Sequence, residues 1–83
     1  MSDQEHDLAS EFPAAREILR QLKVEDSRYQ ALAAEYHVLN KEIFRLETGI
    51  EAGSDERMED LKKQRLIILD EIAEMIAQAQ KAA

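Results

Sequence analysis

Two sets of ionisable residues in the middle of the chain have the types that could do chemistry: His37 with Asp70 or Glu71, and Glu42 with Arg65. A histidine beside a carboxylate can act as a general base or as a pH switch. An arginine in an apolar setting can bind an anion or a partner, or it can pair with a carboxylate and set how two helices align. No hydroxyl or thiol nucleophile and no glycine-rich loop accompanies them, so we interpret both pairs as structural contacts.

Metal and cofactor chemistry finds no support in the residue pattern. The chain has no cysteine, which excludes thiolate ligands and disulfides. Neither the His-x3-His nor the Glu-x2-His spacing of helical metal sites occurs. We therefore predict that the protein binds no metal and no cofactor and that it is not an enzyme.

Two apolar seams organise the chain. Their residues recur at alternating steps of three and four, which is the heptad spacing of helices that pack along their length. The first seam is Tyr29, Leu32, Tyr36, Leu39, Ile43, Leu46 and Ile50, and the second is Met58, Leu61, Arg65, Ile68, Ile72, Met75 and Ala79. A short break at Gly53 and Ser54 separates them, and short connections make neighbouring helices antiparallel.

The predicted fold is therefore all-α: an antiparallel, coiled-coil-like helical hairpin preceded by a short N-terminal helix. We expect residues 1–10 to form a flexible tail and residues 11–83 to form one domain, with helices over about 12–23, 27–51 and 55–80. Asp26 or Ser27 and Ser54 have the side chains that cap helix starts. Gly53 is expected in the left-handed conformation that ends a helix.

Two helices cannot enclose a core, so some apolar side chains outside the seams need cover. The N-terminal helix can cover the open end of the hairpin, and a second copy of the protein can cover the rest. We predict a homodimer or higher oligomer with interface residues Phe44, Leu66, Ile67 and Leu69.

Charge and hydropathy limit the possible partners. The formal net charge is −7, which opposes binding to nucleic acid because phosphates require clustered Lys and Arg. The sequence has no apolar run of membrane-spanning length and its N-terminus is not a secretory signal, so we expect a cytoplasmic protein. The leading hypothesis is a self-associating module that binds an unidentified protein partner. The alternative is a weakly nucleic-acid-associated regulatory protein.

Several ordered segments resemble the YdcH-like family of small bacterial coiled-coil proteins. The segments are ILRQLK at 18–23, DSRY at 26–29, YHVLNKEI at 36–43, SD at 54–55, LKKQRL at 61–66 and LDEI at 69–72. The resemblance covers about residues 12–77, although Asn40-Lys41 stands where the family commonly has Asp-His. It implies a helical, coiled-coil-like protein in a bacterial cytoplasm. The family has no established function, so the resemblance implies no activity and no site residues.

Overall fold

Four α-helices form the protein in a computed structural model that describes residues 8–49 and 53–82. Helix α1 spans Leu8–Glu11 and leads through a 3-10 turn at Pro13–Ala15 into α2, Arg16–Glu25. Helices α3, Ser27–Glu47, and α4, Asp55–Ala82, pack against each other along their length. This confirms the predicted all-α antiparallel hairpin with a helical N-terminal segment. Here, "N-terminal segment" means residues 8–25.

The two long helices begin where the sequence supplies caps. The Asp26 carboxylate accepts a hydrogen bond from the Tyr29 amide at 3.0 Å, and the Ser54 hydroxyl accepts one from the Arg57 amide at 3.1 Å. Each bond satisfies a backbone donor that has no partner within the helix, which stabilises a helix start by about 1 kcal/mol. Asp55 and Glu56 follow in the first turn of α4, where the helix dipole favours negative charge.

The hairpin turn uses its two glycines differently from the sequence prediction. Gly49, not Gly53, has the left-handed conformation, with φ of 80°, and it follows Thr48, the residue that caps the end of α3. A Cβ at Gly53 would lie 2.6 Å from Leu46 Cδ2, so a larger residue there requires the end of the Leu46 side chain to move. The predicted end of the second helix, at residues 50–51, lies outside the described residues.

The core lies along the seam between α3 and α4. With Tyr29 and Met58 taken as heptad position a, the buried side chains occupy a and d positions, together with Ile76 at position e. Tyr36, Ile43 and Ile72 are the largest side chains with almost no exposed surface. The remaining buried residues of the hairpin are Tyr29, Leu39, Leu61, Ile68 and Ile76. The hairpin register therefore brings the apolar residues of the two seams together over the described part of the helices.

The N-terminal segment differs from the single helix expected at 12–23. Phe12 interrupts it with φ of −127° and ψ of 67°, because a residue before proline is displaced from the helical region. Residues 8–10, expected in the flexible tail, form part of α1, and Leu8 is buried. Leu8, Ala15 and Leu19 join the hairpin core, so the segment covers one side of the hairpin.

Candidate self-association surface

A chain of polar contacts crosses the middle of the bundle at Tyr36. The Tyr36 hydroxyl donates to Glu11 Oε2 over a long 3.4 Å, and the Asn40 side chain hydrogen-bonds to the same hydroxyl. Arg65 Nη1 then donates to Asn40 Oδ1 at 2.8 Å. These four residues, the "polar chain", connect α1, α3 and α4. Because Tyr36 itself is fully buried, its hydroxyl cannot meet a substrate, and the contacts serve to hold the three helices together.

The pKa values of both tyrosines are raised above 10.0. Desolvation is the cause at Tyr29 and the largest cause at Tyr36, where the negative charge of Glu11 adds to it and the Asn40 hydrogen bond and Arg65 oppose it. The unfolded chain therefore loses these protons at lower pH than the folded chain does. The stability that both groups contribute is complete below pH 10 and is lost as the pH rises through their folded pKa values.

We expect tyrosinate absorbance to rise at higher pH in the folded protein than in concentrated urea. The chain has two tyrosines and no tryptophan, so the signal reports these two groups. Helicity measured by circular dichroism should fall over the same alkaline range. The variants Tyr29→Phe and Tyr36→Phe each leave one tyrosine, so their titrations show how much each tyrosine contributes to the change in absorbance. Superimposable titrations in buffer and urea would contradict the burial of both rings.

The predicted polar pairs have other contacts in the structure. Glu42 forms a salt bridge with Arg57, and Arg65 bonds Asn40. The reason is geometric: Glu42 occupies heptad position g at one edge of the hairpin, where the facing g residue is Arg57, whereas the half-buried Arg65 at position a reaches the other edge.

His37 and Asp70 are both exposed. The structure places the His37 ring against Tyr36, edge to face, with 6.1 Å between ring centroids. Glu71, the neighbour of Asp70, forms a salt bridge with Arg28 at 3.5 Å. Among the described residues, His37 contacts a tyrosine ring and not a carboxylate.

The hairpin has two unlike flanks. The "g flank" contains the Arg28–Glu71 and Glu42–Arg57 salt bridges, which all involve g positions. On the other flank, the "e flank", the residues at e and b positions lie beside the N-terminal segment. Gln30, Ala33 and His37 of α3 line one groove together with α2. Near the hairpin turn the e flank continues as the Glu47–Lys62 salt bridge at 3.7 Å, beyond the cover of α2.

The four predicted interface residues divide between these flanks. Phe44 and Leu66 occupy b positions of the e flank and are 47% and 59% exposed. Leu69, at position e, packs partly against the core. Ile67, 57% exposed, lies about 100° around α4 from Leu66 and belongs to the g flank, at the same heptad position as Val38 of α3.

Phe44, Leu66 and Leu69 therefore lie on the same flank, and we call these three residues the "turn-side patch". Its two exposed members, Phe44 and Leu66, lie outside the part of the e flank that lines the groove with α2. We regard it as the candidate functional site, because exposed large apolar side chains on one flank mark interaction surfaces.

Glu11 and Asn40 are the members of the polar chain that sequence reasoning missed. Glu11 precedes the helix predicted over about 12–23, and no periodic signal connects it to Tyr36, which lies 25 residues away. For Asn40 a signal existed, because a polar e residue beside an arginine at position a is a natural acceptor.

Within residues 8–49 and 53–82, no group of three or more His, Asp or Glu residues converges to hold a metal ion. Across these ranges, the helices also lack a stretch both long and apolar enough to cross a membrane.

Comparison with known proteins identifies the family of the hairpin. The family model described as "Protein of unknown function (DUF465)" matches residues 30–76, which include most of α3 and α4. No curated protein and no solved structure matches the chain. The YdcH-like family to which the sequence segments pointed is this same family of small proteins. Since the match spans more than half of the 83 residues, the chain belongs to the DUF465 family of proteins of unknown function.

Proposed function

We propose that the protein is a non-enzymatic, self-associating helical module that forms a homodimer through the turn-side patch and presents the assembled surface to a protein partner. One observation carries the proposal: Phe44 and Leu66 are 47% and 59% exposed on the same flank. The N-terminal segment lies along another part of that flank. A second copy, related by a two-fold axis, brings an identical patch to cover this one.

The expected dimer is weak and reversible. Covering a half-exposed Phe or Leu side chain contributes about 1 kcal/mol. The four such side chains of two copies contribute about 4 kcal/mol, from which the loss of translational and rotational freedom must be subtracted. Further contacts around the patch must therefore add to the association, and the partly buried Leu69 supplies some of the apolar area.

Replacing Phe44 and Leu66 together with glutamate should make the protein monomeric. Four carboxylates would then meet at the two-fold interface without partners, which is strongly unfavourable. A sedimentation-velocity concentration series measures the effect. Because both positions are exposed, the free energy of unfolding should change by no more than about 0.5 kcal/mol, and circular dichroism checks that helicity is kept.

Val38→Glu with Ile67→Glu is the matched control, since both residues are large, apolar and exposed on the g flank. This variant should dimerise like the parent protein. A parent protein that stays monomeric at every concentration, or a control that dissociates as strongly as the turn-side variant, would contradict the proposal.

A further inference from the structure

A groove between α2 and α3 has positive charges along one wall. Its volume is about 620 Å³. The α2 wall carries Arg16, Arg20 and Lys23, and the α3 wall carries Gln30 and His37. Apolar side chains form the floor between the two walls, and they belong to Leu8, Ala9, Leu19, Tyr29 and Ala33.

The charge of the groove differs from that of the chain. None of the ten residues that line it, all in the described part of the chain, is acidic, although 18 of the 83 residues are Asp or Glu. Within the described residues, Arg16 and Lys23 have no salt bridge, and Arg20 pairs with Glu17 at 3.4 Å where both side chains are highly exposed. The groove therefore complements a negatively charged ligand on a protein of net charge −7.

The spacing of the positive charges suits a helical ligand. Arg16, Arg20 and Lys23 follow one another at four and three residues, so they share one face of α2 over about 10 Å. On the α3 wall, Gln30 and His37 are also seven residues apart, and the Gln30 side chain donates to the Lys23 carbonyl at 2.8 Å. An antiparallel helix with carboxylates at positions i, i+3 and i+7 would meet all three cations in such a groove.

The floor and the net charge favour an acidic peptide over a nucleic acid. Leu19 and Tyr29 are only 6% and 5% exposed, so the floor offers little apolar area and the wall charges must supply most of the affinity. A nucleic acid would extend beyond the groove over a surface of net negative charge, which repels a polyanion. An acidic segment of about two helical turns meets the cationic wall alone.

We propose that the groove between α2 and α3 binds an acidic helical segment of a partner protein, whose carboxylates pair with Arg16, Arg20 and Lys23. The inference rests on the proposed function and deepens it, because it names the class of the protein partner and the surface that receives it. One copy of the chain contains the whole groove, so binding does not require the dimer. An exposed ion pair changes affinity by up to about fivefold, and its attraction weakens with salt.

A designed peptide tests the groove. The probe is a fluorescein-labelled peptide of about 18 residues, with glutamate at positions i, i+3 and i+7, leucine at i+4, and alanine or glutamine elsewhere. Fluorescence anisotropy at low salt should show saturable binding to the parent protein. The wall variant, Arg16→Gln/Arg20→Gln/Lys23→Gln, should bind at least about tenfold more weakly. The same loss is expected when the three glutamates of the peptide are replaced with glutamine.

A second triple variant is the matched control. Lys41→Gln/Arg45→Gln/Lys63→Gln removes three positive charges from exposed positions that do not line the groove, so it changes the net charge equally and should bind the peptide like the parent. Glutamine is a good helix former, and circular dichroism checks that both variants stay helical. In NMR spectra of the parent, the peptide should shift mainly the amide signals of residues 16–23 and 30–37.

The contrary outcomes can be told apart. If the parent does not bind the peptide at low salt, or if both triple variants bind it equally, the groove contact falls. Sedimentation velocity decides self-association separately: a dimer that ignores the peptide overturns only this inference, and a monomer that binds it at the groove overturns only the homodimer.

Two other occupants of the groove would also overturn the inference. If a fluorescent DNA duplex binds the parent more tightly than the peptide does, and the wall variant loses that binding, the groove takes nucleic acid. If replacing Asp3, Glu5 and Asp7 with their amides raises peptide affinity at least about tenfold, beyond what one or two exposed ion pairs contribute elsewhere, the chain's own acidic start occupies the groove.

Discussion

Replacing Tyr36 with alanine should lower the free energy of unfolding by about 4 kcal/mol, as expected for removing a buried aromatic ring from a packed core. Tyr36 has no exposed surface and lies at the centre of the hairpin seam. A chain of 83 residues has a total stability of roughly 4–12 kcal/mol, so this variant loses a large share of it. Urea unfolding followed by circular dichroism measures the change.

Tyr36→Phe is the matched control for the ring. It keeps the packing and removes the hydroxyl that contacts Glu11 and Asn40, so it should cost only about 1 kcal/mol. If phenylalanine destabilised the protein as much as alanine, the polar chain and not the ring would hold the helices together. An alanine variant of nearly parental stability would contradict the central place of Tyr36 in the core.

The hairpin could be predicted because its signals agree with one another. The seam through Tyr36 and Ile43 has heptad spacing, Ser54 caps the returning helix, and the seam through Ile68 and Ile72 has the same spacing in the reverse direction. A side chain at an a or d position is buried in any register that pairs the two seams. The prediction of the core therefore did not depend on an exact alignment of the helices.

Polar partners were harder to predict, because a polar contact depends on which edge of the hairpin a side chain reaches and not on the heptad layer to which it belongs. Glu42 and Arg65 lie at about the same level of the hairpin, yet they occupy positions g and a and reach opposite flanks. The structure consequently pairs Glu42 with Arg57 and Arg65 with Asn40. Long side chains at the edge of a hairpin choose among several neighbours within a turn, and a seam alone does not distinguish them.

The interface residues show a similar limit. Apolar composition outside the seam identified Phe44, Leu66, Ile67 and Leu69 as a set, but adjacent residues of a helix differ by about 100° in direction. Leu66 and Ile67 accordingly lie on different flanks. Which flank stays open depends on where the N-terminal segment docks, and its direction changes at Phe12 before Pro13.

The limits of the family match separate the hairpin from the N-terminal segment that docks on it. The match to the family covers residues 30–76, so α1 and α2 lie outside it and the hairpin is the shared element. In this chain the N-terminal segment packs on the e flank, where Phe44 and Leu66 stay exposed. The apolar surface that we propose for a second copy is therefore the turn-side patch.

Replacing Ile72 with alanine is expected to lower the free energy of unfolding by about 3 kcal/mol. Ile72 has no exposed surface, so alanine leaves a cavity that the packed seams of α3 and α4 can fill only in part. Thermal and urea unfolding, at several protein concentrations, separate this effect from dimerisation. The loss should be the same at every concentration, because the residue lies inside one copy of the hairpin.

Ile67→Ala is the matched comparison, because it makes the same chemical change five residues away on the same helix. Alanine has a slightly higher helix propensity than isoleucine at both positions. The contribution of helix propensity therefore cancels when the two variants are compared. Ile67 is 57% exposed, and its replacement should change stability by no more than about 0.5 kcal/mol. Equal losses at the two positions would mean that Ile67 is covered too, and that an interface lies on the g flank and not on the e flank, where we propose it.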